Sequence, residues 1–248
     1  AAQLLTFLER ERIPYCYLGA GANVLPAEGR FEGVVVRFCN MNTLYADGTS
    51  LYAGAGVTGG RLLAFAAANA IGGFEPLSGI PTSVGGGITM NAGVKELHFG
   101  DVTERVIAAE KGKIYTLSQS ECRFSEKSSL FQQGTAVLGA YFTGKRSDAR
   151  TIAARACDFR RRRAGLPKGR SMGCAFVNPP DRSAGELIEK CGLKNTRVGG
   201  ARVSEIHANF ILNEGGTADD ILALAELVKA RVYMQTGITL REEFRRIP

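Results

Sequence analysis

The sequence predicts an α+β fold made of three consecutive pieces. Two observations favour this class. Residues 85–144 consist mostly of strand-forming runs with little helix, which is typical of an antiparallel sheet, and the last third places two helices around one strand. We expect the pieces to span residues 1–45, 46–146 and 147–248, with the main boundary near residues 145–165. A chain of 248 residues is long enough to bury a sizeable core.

The first piece begins with an amphipathic segment. Leu4, Leu5 and Leu8 lie near helical spacing, so residues 2–12 are predicted to form a helix that Pro14 ends. The run YCYLG then predicts a short strand, GAGANVLP a glycine-rich turn, and GVVVRF, at residues 33–38, a second strand. Together these elements indicate a small unit of the β-α-β type.

The second piece alternates strands with one helix. Residues 51–57 (LYAGAGV) predict a strand, and residues 61–70 (RLLAFAAANA) predict a helix that stops before Gly72. The run RVIAAEKGKIYTL predicts a hairpin with Lys111-Gly112 at its turn, and TAVLGAYFTG predicts the next strand.

The third piece carries clear helix start and stop signals. Ser147 is predicted to cap a long helix over residues 148–163, and another helix is expected over residues 183–191, before the strand HANFILN. The final helix, residues 218–234, starts with a Thr217–Asp220 capping-box pattern and stops at Gly237.

Composition limits the functional classes. No apolar run reaches the length of a membrane span, and the start lacks the basic and apolar blocks of a signal peptide, so we expect a cytoplasmic protein that does not bind membranes. Six cysteines form no CxxC pair and there are only two histidines, so no metal site is expected. The net charge of +7 favours anionic ligands. Because the first residue is Ala, we expect a fragment of a longer chain.

Three patterns have ordinary structural explanations, which we favour over functional ones. Gly54-Ala-Gly56-Val-Thr-Gly59 matches GxGxxG, but no second parallel strand follows it, so a Rossmann site is not expected. The four arginines 160–163 indicate a solvated helix end that complements the helix dipole, and nucleic-acid binding is not expected because no aromatic residues interleave with them. His98 and His207 are expected to be structural.

The glycine-rich stretch from Glu75 to Gly93, EPLSGIPTSVGGGITMNAG, is the most informative part of the chain. Glycine costs roughly 1 kcal/mol relative to alanine in a helix, so this stretch predicts a loop. A glycine-rich loop with the hydroxyls of Thr82 and Ser83 can present backbone N–H groups to a diphosphate. The alternative interpretation is a set of tight turns between strands.

Six stretches occur in a fixed order, and together they resemble a known family. They are YLGAGANVL (17–25), GIPTSVGGGITMNAG (79–93), CRFSEKSSLF (122–131), GCAFVNP (173–179), SAGELIEKCGLKNTRVGGARVSEIHANFILN (183–213) and LREEF (240–244). By these motifs the chain is identified as a member of the UDP-N-acetylenolpyruvoylglucosamine reductase (MurB) family. It resembles the shorter subtype and lacks the family's usual first strand, as an N-terminally truncated chain does.

The resemblance implies a fold, a reaction and cofactors. The first two pieces correspond to an FAD-binding unit of two subdomains (PCMH/VAO-type), and the third to a substrate-binding domain. The implied reaction is NADPH-dependent reduction of UDP-N-acetylglucosamine enolpyruvate to UDP-N-acetylmuramate, for peptidoglycan synthesis, by a monomer that contains FAD. The implied FAD-binding residues are Leu18, Gly19, Ala20, Gly21, Ala22, Asn23, Pro81, Thr82, Ser83, Gly85, Gly86 and Asn91.

The implied catalytic residues are Lys127, Cys174 and Glu243, and Asn178 is the implied substrate contact. Lys127 stands where the family has arginine, with Glu126 in place of the preceding tyrosine, and Cys174 stands where it has serine. Val177 replaces a frequent lysine, and Ala22 replaces the serine of the first loop. A thiol, with an ordinary pKa near 8.5, is a stronger acid than a serine hydroxyl.

Two alternatives stay open at this point. One is another flavin oxidoreductase of the same superfamily. The other is a degenerate or truncated homologue that binds FAD or a UDP-sugar without turnover, which the changes at Lys127 and Cys174 would suit.

Overall fold

The structure is a computed structural model that describes all 248 residues. The chain forms two compact units. Unit 1 comprises residues 1–21 and 32–164, and unit 2 comprises residues 22–31 and 165–248. None of the helices is both long enough and apolar enough to cross a membrane. The three-piece division expected from the sequence stays a prediction.

The secondary structure is mixed, as the sequence predicts. The helices are α1 Ala2–Arg10, α2 Gly59–Ala68, α3 Val84–Thr89, α4 Phe99–Val102, α5 Ala149–Ala164, α6 Ala184–Lys190 and α7 Ala218–Thr236, with 3₁₀ turns at Glu75–Leu77 and Leu130–Gln133. The strands are β1 Tyr15–Tyr17, β2 Val24–Pro26, β3 Val34–Val36, β4 Leu44–Asp47, β5 Ser50–Gly54, β6 Ile71–Gly72, β7 Gly93–Val94, β8 Leu97–His98, β9 Thr103–Glu110, β10 Lys113–Ser118, β11 Ala136–Thr143, β12 Lys145–Arg146, β13 Phe176–Val177, β14 Arg197–Val198, β15 Ala201–Val203, β16 Ile211–Asn213, β17 Arg241–Glu242 and β18 Arg245–Ile247.

A five-stranded antiparallel sheet organises unit 1, in the order β10-β9-β11-β5-β4. This confirms the predicted antiparallel middle region. The predicted hairpin is also confirmed, because Lys111 and Gly112 both have positive φ, 48° and 74°, as a tight primed turn between β9 and β10 requires. Side chains of the sheet and of α2 and α3 form the main core of this unit, which includes Leu51, Leu62, Val106 and Phe142.

The N-terminal elements follow the prediction in part. Helix α1 buries Leu5 and Leu8, and β1 pairs in parallel with β3. The expected β-α-β-type unit is wrong, because β2 and no helix lies between these two strands. The expectation of a simple turn over residues 19–26 is wrong in its second half. Val24–Pro26 forms β2, which pairs in parallel with β18 near the C-terminus. A partner more than 200 residues away leaves no local signal.

The glycine-rich stretch is not all loop, and this prediction is wrong. Residues Val84–Thr89 form the short helix α3, which the Ser83 hydroxyl caps by accepting from the Gly86 amide at 3.2 Å. Close packing explains the glycines. A Cβ at Gly87 would lie 2.6 Å from the Phe99 ring, and one at Gly85 would lie 3.1 Å from the Ala55 Cβ. Tertiary packing therefore overrides the low helix propensity of glycine.

The long helix α5 ends unit 1, and its predicted cap is wrong by one residue. Asp148, not Ser147, accepts a hydrogen bond from the Thr151 amide, at 2.9 Å. At the C-terminal end of α5, two of the four arginines make specific contacts in addition to complementing the helix dipole. Arg162 pairs with Glu96 at 2.9 Å, and Arg163 donates to the Gly79 carbonyl at 3.0 Å.

Unit 2 is built around α7. The predicted capping box is confirmed: Thr217 and Asp220 bond reciprocally, and Gly237 ends the helix at φ 69°. Helix α6 begins after Ser183, close to the predicted start, and β16 lies within the predicted strand HANFILN. Glu28 belongs to this unit because its carboxylate accepts a hydrogen bond from the first amide of α7, at Ala218.

Candidate active site

The first predicted cofactor loop exposes backbone donors in unit 1. The Leu18 amide donates to the Val36 carbonyl at 3.1 Å, which ends the strand pairing. The amides of Gly19, Ala20 and Gly21 make no hydrogen bond within the protein, and all three residues are exposed. Gly21 has a φ of 77°, which favours glycine. This turn presents three consecutive N–H groups that an anion can accept.

The two predicted cofactor loops lie side by side. A Cβ added to Gly19 would lie 2.9 Å from the Ser83 hydroxyl oxygen and 3.4 Å from the Gly86 Cα. Residues 64 positions apart in sequence therefore meet at the N-terminus of α3, where a glycine without a side chain is needed. Thr82 and the exposed residue Pro81 directly precede Ser83 and this helix in the chain.

The amides of the second loop are mostly engaged inside unit 1. The Val84 amide donates to the Val57 carbonyl at 2.8 Å, the Gly85 amide donates to the Ala55 carbonyl at 2.9 Å, and the Gly86 amide donates to Ser83. The expectation that this loop presents free backbone N–H groups is therefore wrong for Val84, Gly85 and Gly86. The second loop instead offers hydroxyl groups and a close approach of its glycines.

Asn91 is a buried structural link, although the resemblance implies an FAD contact. Its Nδ2 donates to the Ser125 carbonyl at 2.8 Å, and its Oδ1 accepts from the Gly100 amide at 2.8 Å. Its backbone is left-handed, with φ 42°. Asn91 thus ties the end of the glycine-rich stretch to the turn that carries Lys127.

Lys127 occupies a strained position in a tight turn. The amides and carbonyls of Ser125 and Ser128 bond reciprocally at 3.0 and 3.1 Å, with Glu126 and Lys127 between them. Lys127 has a φ of 54°, and its Nζ lies 3.4 Å from the Gly93 carbonyl. Such strain in a non-glycine residue is concentrated at functional sites in proteins.

Unit 2 brings Cys174 and Glu243 close together through Ala175. The Glu243 amide donates to the Ala175 carbonyl at 2.8 Å, and β13 pairs antiparallel with β17, which immediately precedes Glu243. On the other side, Cys174 forms a β-bridge with Phe210. Cys174 is half-buried and forms no disulfide.

Asn209 holds this strand, and the sequence analysis did not assign it a role. Its Oδ1 accepts from the Phe176 amide at 2.9 Å, its Nδ2 donates to the Phe176 carbonyl at 2.8 Å, and its own carbonyl accepts from the Ala175 amide. The buried side-chain amide of Asn209 takes the place of a neighbouring strand. It satisfies the backbone N–H and carbonyl of Phe176, which would otherwise lack hydrogen-bond partners. The available signal was an asparagine inside the otherwise apolar run of HANFILN.

The remaining predicted residues lie in unit 2. Asn178 is exposed, and its Oδ1 accepts from the Ala184 amide at the start of α6, at 3.0 Å. Ala22 is half-buried at the start of this unit's first segment. Asn23 donates from Nδ2 to the Glu243 carbonyl at 3.1 Å. Lys127 belongs to unit 1, whereas Cys174 and Glu243 belong to unit 2.

The patterns that we set aside are explained by local structure. The strand of the GxGxxG pattern, β5, pairs antiparallel with both neighbours, so no Rossmann unit forms. A Cβ at Gly54 or Gly56 would lie 2.3 and 2.2 Å from the carbonyl oxygens of Met41 and Phe38, so close backbone approach requires both glycines. His98 caps α4, and His207 packs on Phe210 with ring centroids 5.2 Å apart.

Comparison with known proteins places this geometry in a family. Residues 1–117 match an FAD-binding domain model, and residues 166–247 match the UDP-N-acetylenolpyruvoylglucosamine reductase C-terminal domain. This confirms the predicted α+β fold class, in which an FAD-binding unit precedes a C-terminal domain.

Similar whole proteins carry the same name. Reductases of that name from Geobacter sulfurreducens and Rickettsia massiliae are 38% and 34% identical, covering 97% and 96% of this chain and 81% and 82% of their own. The crystal structure of the reductase from Thermus caldophilus superposes with a TM-score of 0.86 at 34% identity, over 100% of this chain and 90% of that one. The chain belongs to the UDP-N-acetylenolpyruvoylglucosamine reductase family.

Proposed function

We propose that this protein is an FAD-containing, NADPH-dependent reductase that converts UDP-N-acetylglucosamine enolpyruvate to UDP-N-acetylmuramate in peptidoglycan precursor synthesis. The observation that carries the proposal is the similarity to the Thermus reductase along the whole chain, at 34% identity. The substrate implies a cytoplasmic enzyme, and we propose that it works as a monomer.

The residues present fit a flavin diphosphate. The unbonded amides of Gly19, Ala20 and Gly21 supply donors for an anion, and the adjacent Thr82 and Ser83 supply hydroxyl groups at a helix N-terminus. The missing side chain at Gly19 leaves the approach to Ser83 open. When bound, FAD supplies the hydride that it receives from NADPH.

The reaction adds a hydride to the methylene carbon of the enolpyruvyl group and a proton to the adjacent carbon. As the hydride arrives, negative charge develops on the substrate carboxylate. Lys127 supplies a cation for that charge, as a compact ammonium group without the planar fork of arginine. The left-handed turn of Ser125–Ser128, held by Asn91, fixes where the lysine backbone lies.

Cys174 donates the proton to the adjacent carbon and is reprotonated from water. Glu243, whose amide is bonded to the residue after Cys174, stabilises the enol form of the substrate or relays its proton. Asn178 keeps one amide group for the substrate while its Oδ1 holds the start of α6. The protein's part is therefore orientation, one cation and one acid.

The test measures NADPH consumption and formation of the reduced sugar nucleotide in the same reaction. Purified protein, loaded with FAD, is incubated with NADPH and UDP-N-acetylglucosamine enolpyruvate, and NADPH loss is compared with product mass. We expect one NADPH consumed for each substrate molecule, with a mass gain of two hydrogens. NADPH consumption that does not depend on the sugar nucleotide would favour another flavin oxidoreductase, and FAD binding without consumption would favour a degenerate homologue.

A further inference from the structure

Asn23 is hydrogen-bonded to the segment that carries Glu243, and both lie in unit 2. Its Nδ2 donates to the Glu243 carbonyl at 3.1 Å, and its own carbonyl accepts from the Arg245 amide at 2.9 Å. Strand β2 begins at the next residue and pairs in parallel with β18, which begins at Arg245. Asn23 thus bonds to the peptide groups on both sides of Phe244.

The backbone of Glu243 is held from two directions. Its amide donates to the Ala175 carbonyl at 2.8 Å, and its carbonyl accepts from Asn23. Phe244, the next residue, is 4% exposed and belongs to the core of unit 2. Two hydrogen bonds and a buried neighbour therefore fix the peptide groups on both sides of Glu243, and the Asn23 side chain supplies one of these bonds.

We propose that Asn23 is a positioning residue for Glu243: its side-chain amide holds the Glu243 peptide so that the carboxylate stays in register with Cys174. This inference rests on the proposed function, in which Glu243 and Cys174 act on the same substrate. It assigns Asn23 a role different from the FAD contact that the resemblance implies.

The chemistry requires a donor at this position. The Glu243 carbonyl is an acceptor, so a carboxylate at position 23 has the right shape but cannot donate, and it faces the partial negative charge of the carbonyl oxygen. Alanine removes the contact altogether. Misplacement of a catalytic group by about 1 Å costs roughly 100-fold in rate, so even a small rotation of the Glu243 peptide has a measurable effect.

The test is a double-mutant cycle on the full FAD-loaded protein. Four proteins are compared: wild type, Asn23→Asp, Glu243→Gln and the double variant. The rates of flavin reduction by NADPH and of flavin reoxidation by the enolpyruvyl substrate are measured separately, with the FAD dissociation constant and the melting temperature. Asn40→Asp, the same change at an exposed turn residue of unit 1, is the control. Asn23→Ala passes through the same cycle in case Asn23→Asp folds poorly.

We expect Asn23→Asp to slow reoxidation roughly 10- to 100-fold, with the FAD dissociation constant and the reduction rate within about twofold of wild type. The double variant should be no slower than Glu243→Gln alone, within about twofold, because a residue that acts through Glu243 loses its effect once Glu243 is changed.

Two results overturn the inference in different ways. If wild type turns over but the two effects multiply, or if Asn23→Asp mainly weakens FAD binding, Asn23 acts independently of Glu243 and the positioning role is wrong while the proposed function stands. If wild type binds FAD and is reduced by NADPH but is never reoxidised by the substrate, the proposed function fails, and the positioning role fails with it.

Discussion

Asn209 pairs with Phe176 as a strand would, with both ends of its side-chain amide bonded to the Phe176 backbone at 2.9 and 2.8 Å. This pairing fixes the strand that follows Cys174. The backbone N–H of Asn209 in turn donates to His207 Nδ1 at 3.3 Å. The arrangement links a titratable ring to the candidate catalytic strand.

Stability should fall in mild acid because of His207. Burial lowers the pKa of His207 below its ordinary value, and its protonated ring can no longer accept from Asn209 at Nδ1. The unfolded chain gains a proton near pH 6.5 and the folded chain only at lower pH, so the free energy of unfolding decreases as pH falls below about 6.5. Denaturant unfolding at several pH values should show a smaller decrease for His207→Gln than for wild type. Equal decreases would contradict this, and His98→Gln controls for loss of an imidazole elsewhere.

Gly87→Ala should destabilise unit 1 although alanine is the better helix former. The new Cβ would lie 2.6 Å from the buried Phe99 ring, and overpacking of this kind costs about 1–3 kcal/mol. Gly60→Ala is the matched control, because Gly60 also lies in a helix but its Cβ would meet nothing within 4 Å. That change should stabilise by up to about 1 kcal/mol. Denaturant midpoints measure both, and a stabilising Gly87→Ala would show that α3 does not pack as described.

Gly19→Ala should weaken FAD binding and also destabilise unit 1 modestly. Its Cβ would lie 2.9 Å from the Ser83 hydroxyl, which must move and release the Gly86 amide that it caps. Loss of such a cap costs about 1 kcal/mol of stability. Because the displaced hydroxyl and the new methyl group also obstruct the diphosphate site, we expect the FAD dissociation constant to rise roughly 5-fold or more. Gly165→Ala, in open space, is the control. Equal affinities for FAD in titrations of the two variants would remove Gly19 from the cofactor site.

Cys174→Ala should block proton transfer selectively. We expect flavin reduction by NADPH to stay nearly intact and reoxidation by the substrate to slow by roughly 100-fold or more, the scale of a lost general acid. Cys174→Ser should retain activity, because a hydroxyl can donate the same proton. Stopped-flow measurement of both half-reactions decides it, and equal reoxidation rates for wild type and Cys174→Ala would reject Cys174 as the acid.

Lys127→Ala should cripple the same half-reaction for an electrostatic reason. Loss of one preorganised donor to developing charge costs about 3–4 kcal/mol, or roughly 100- to 1000-fold in rate. Lys127→Arg should hold or raise turnover if the arginine fork fits the substrate carboxylate. Lysine, alanine and arginine all carry a Cβ, so they meet a similar steric cost at the positive φ of position 127. If neither substitution changes the turnover rate, Glu126 and Lys127 are a solvated charged pair.

Local signals predicted the elements that local chemistry determines. The capping box of Thr217 and Asp220, the stop at Gly237 and the Lys111-Gly112 hairpin all follow from short-range bonds and allowed φ values. Helix α3 could not be predicted, because its glycines are explained by Phe99 and Ala55, which pack against it only in the folded state.

The candidate site was predictable as a set of motifs but not as a set of contacts. The motifs singled out stretches that the fold brings together: those around Gly19 and Ser83 meet in unit 1, and those around Cys174 and Glu243 meet in unit 2. The bonds from Asn23 to Glu243 and from Asn209 to Phe176 join residues 220 and 33 positions apart. Only the fold brings such partners together, so sequence patterns name the residues without their roles.

The most direct test of the central claim is the absorbance of the FAD-loaded protein followed without oxygen through one catalytic cycle. We predict that NADPH bleaches the flavin band and that UDP-N-acetylglucosamine enolpyruvate, added after NADPH is exhausted, restores it in equal proportion. A flavin that stays bleached after the sugar nucleotide is added would contradict the proposed reaction.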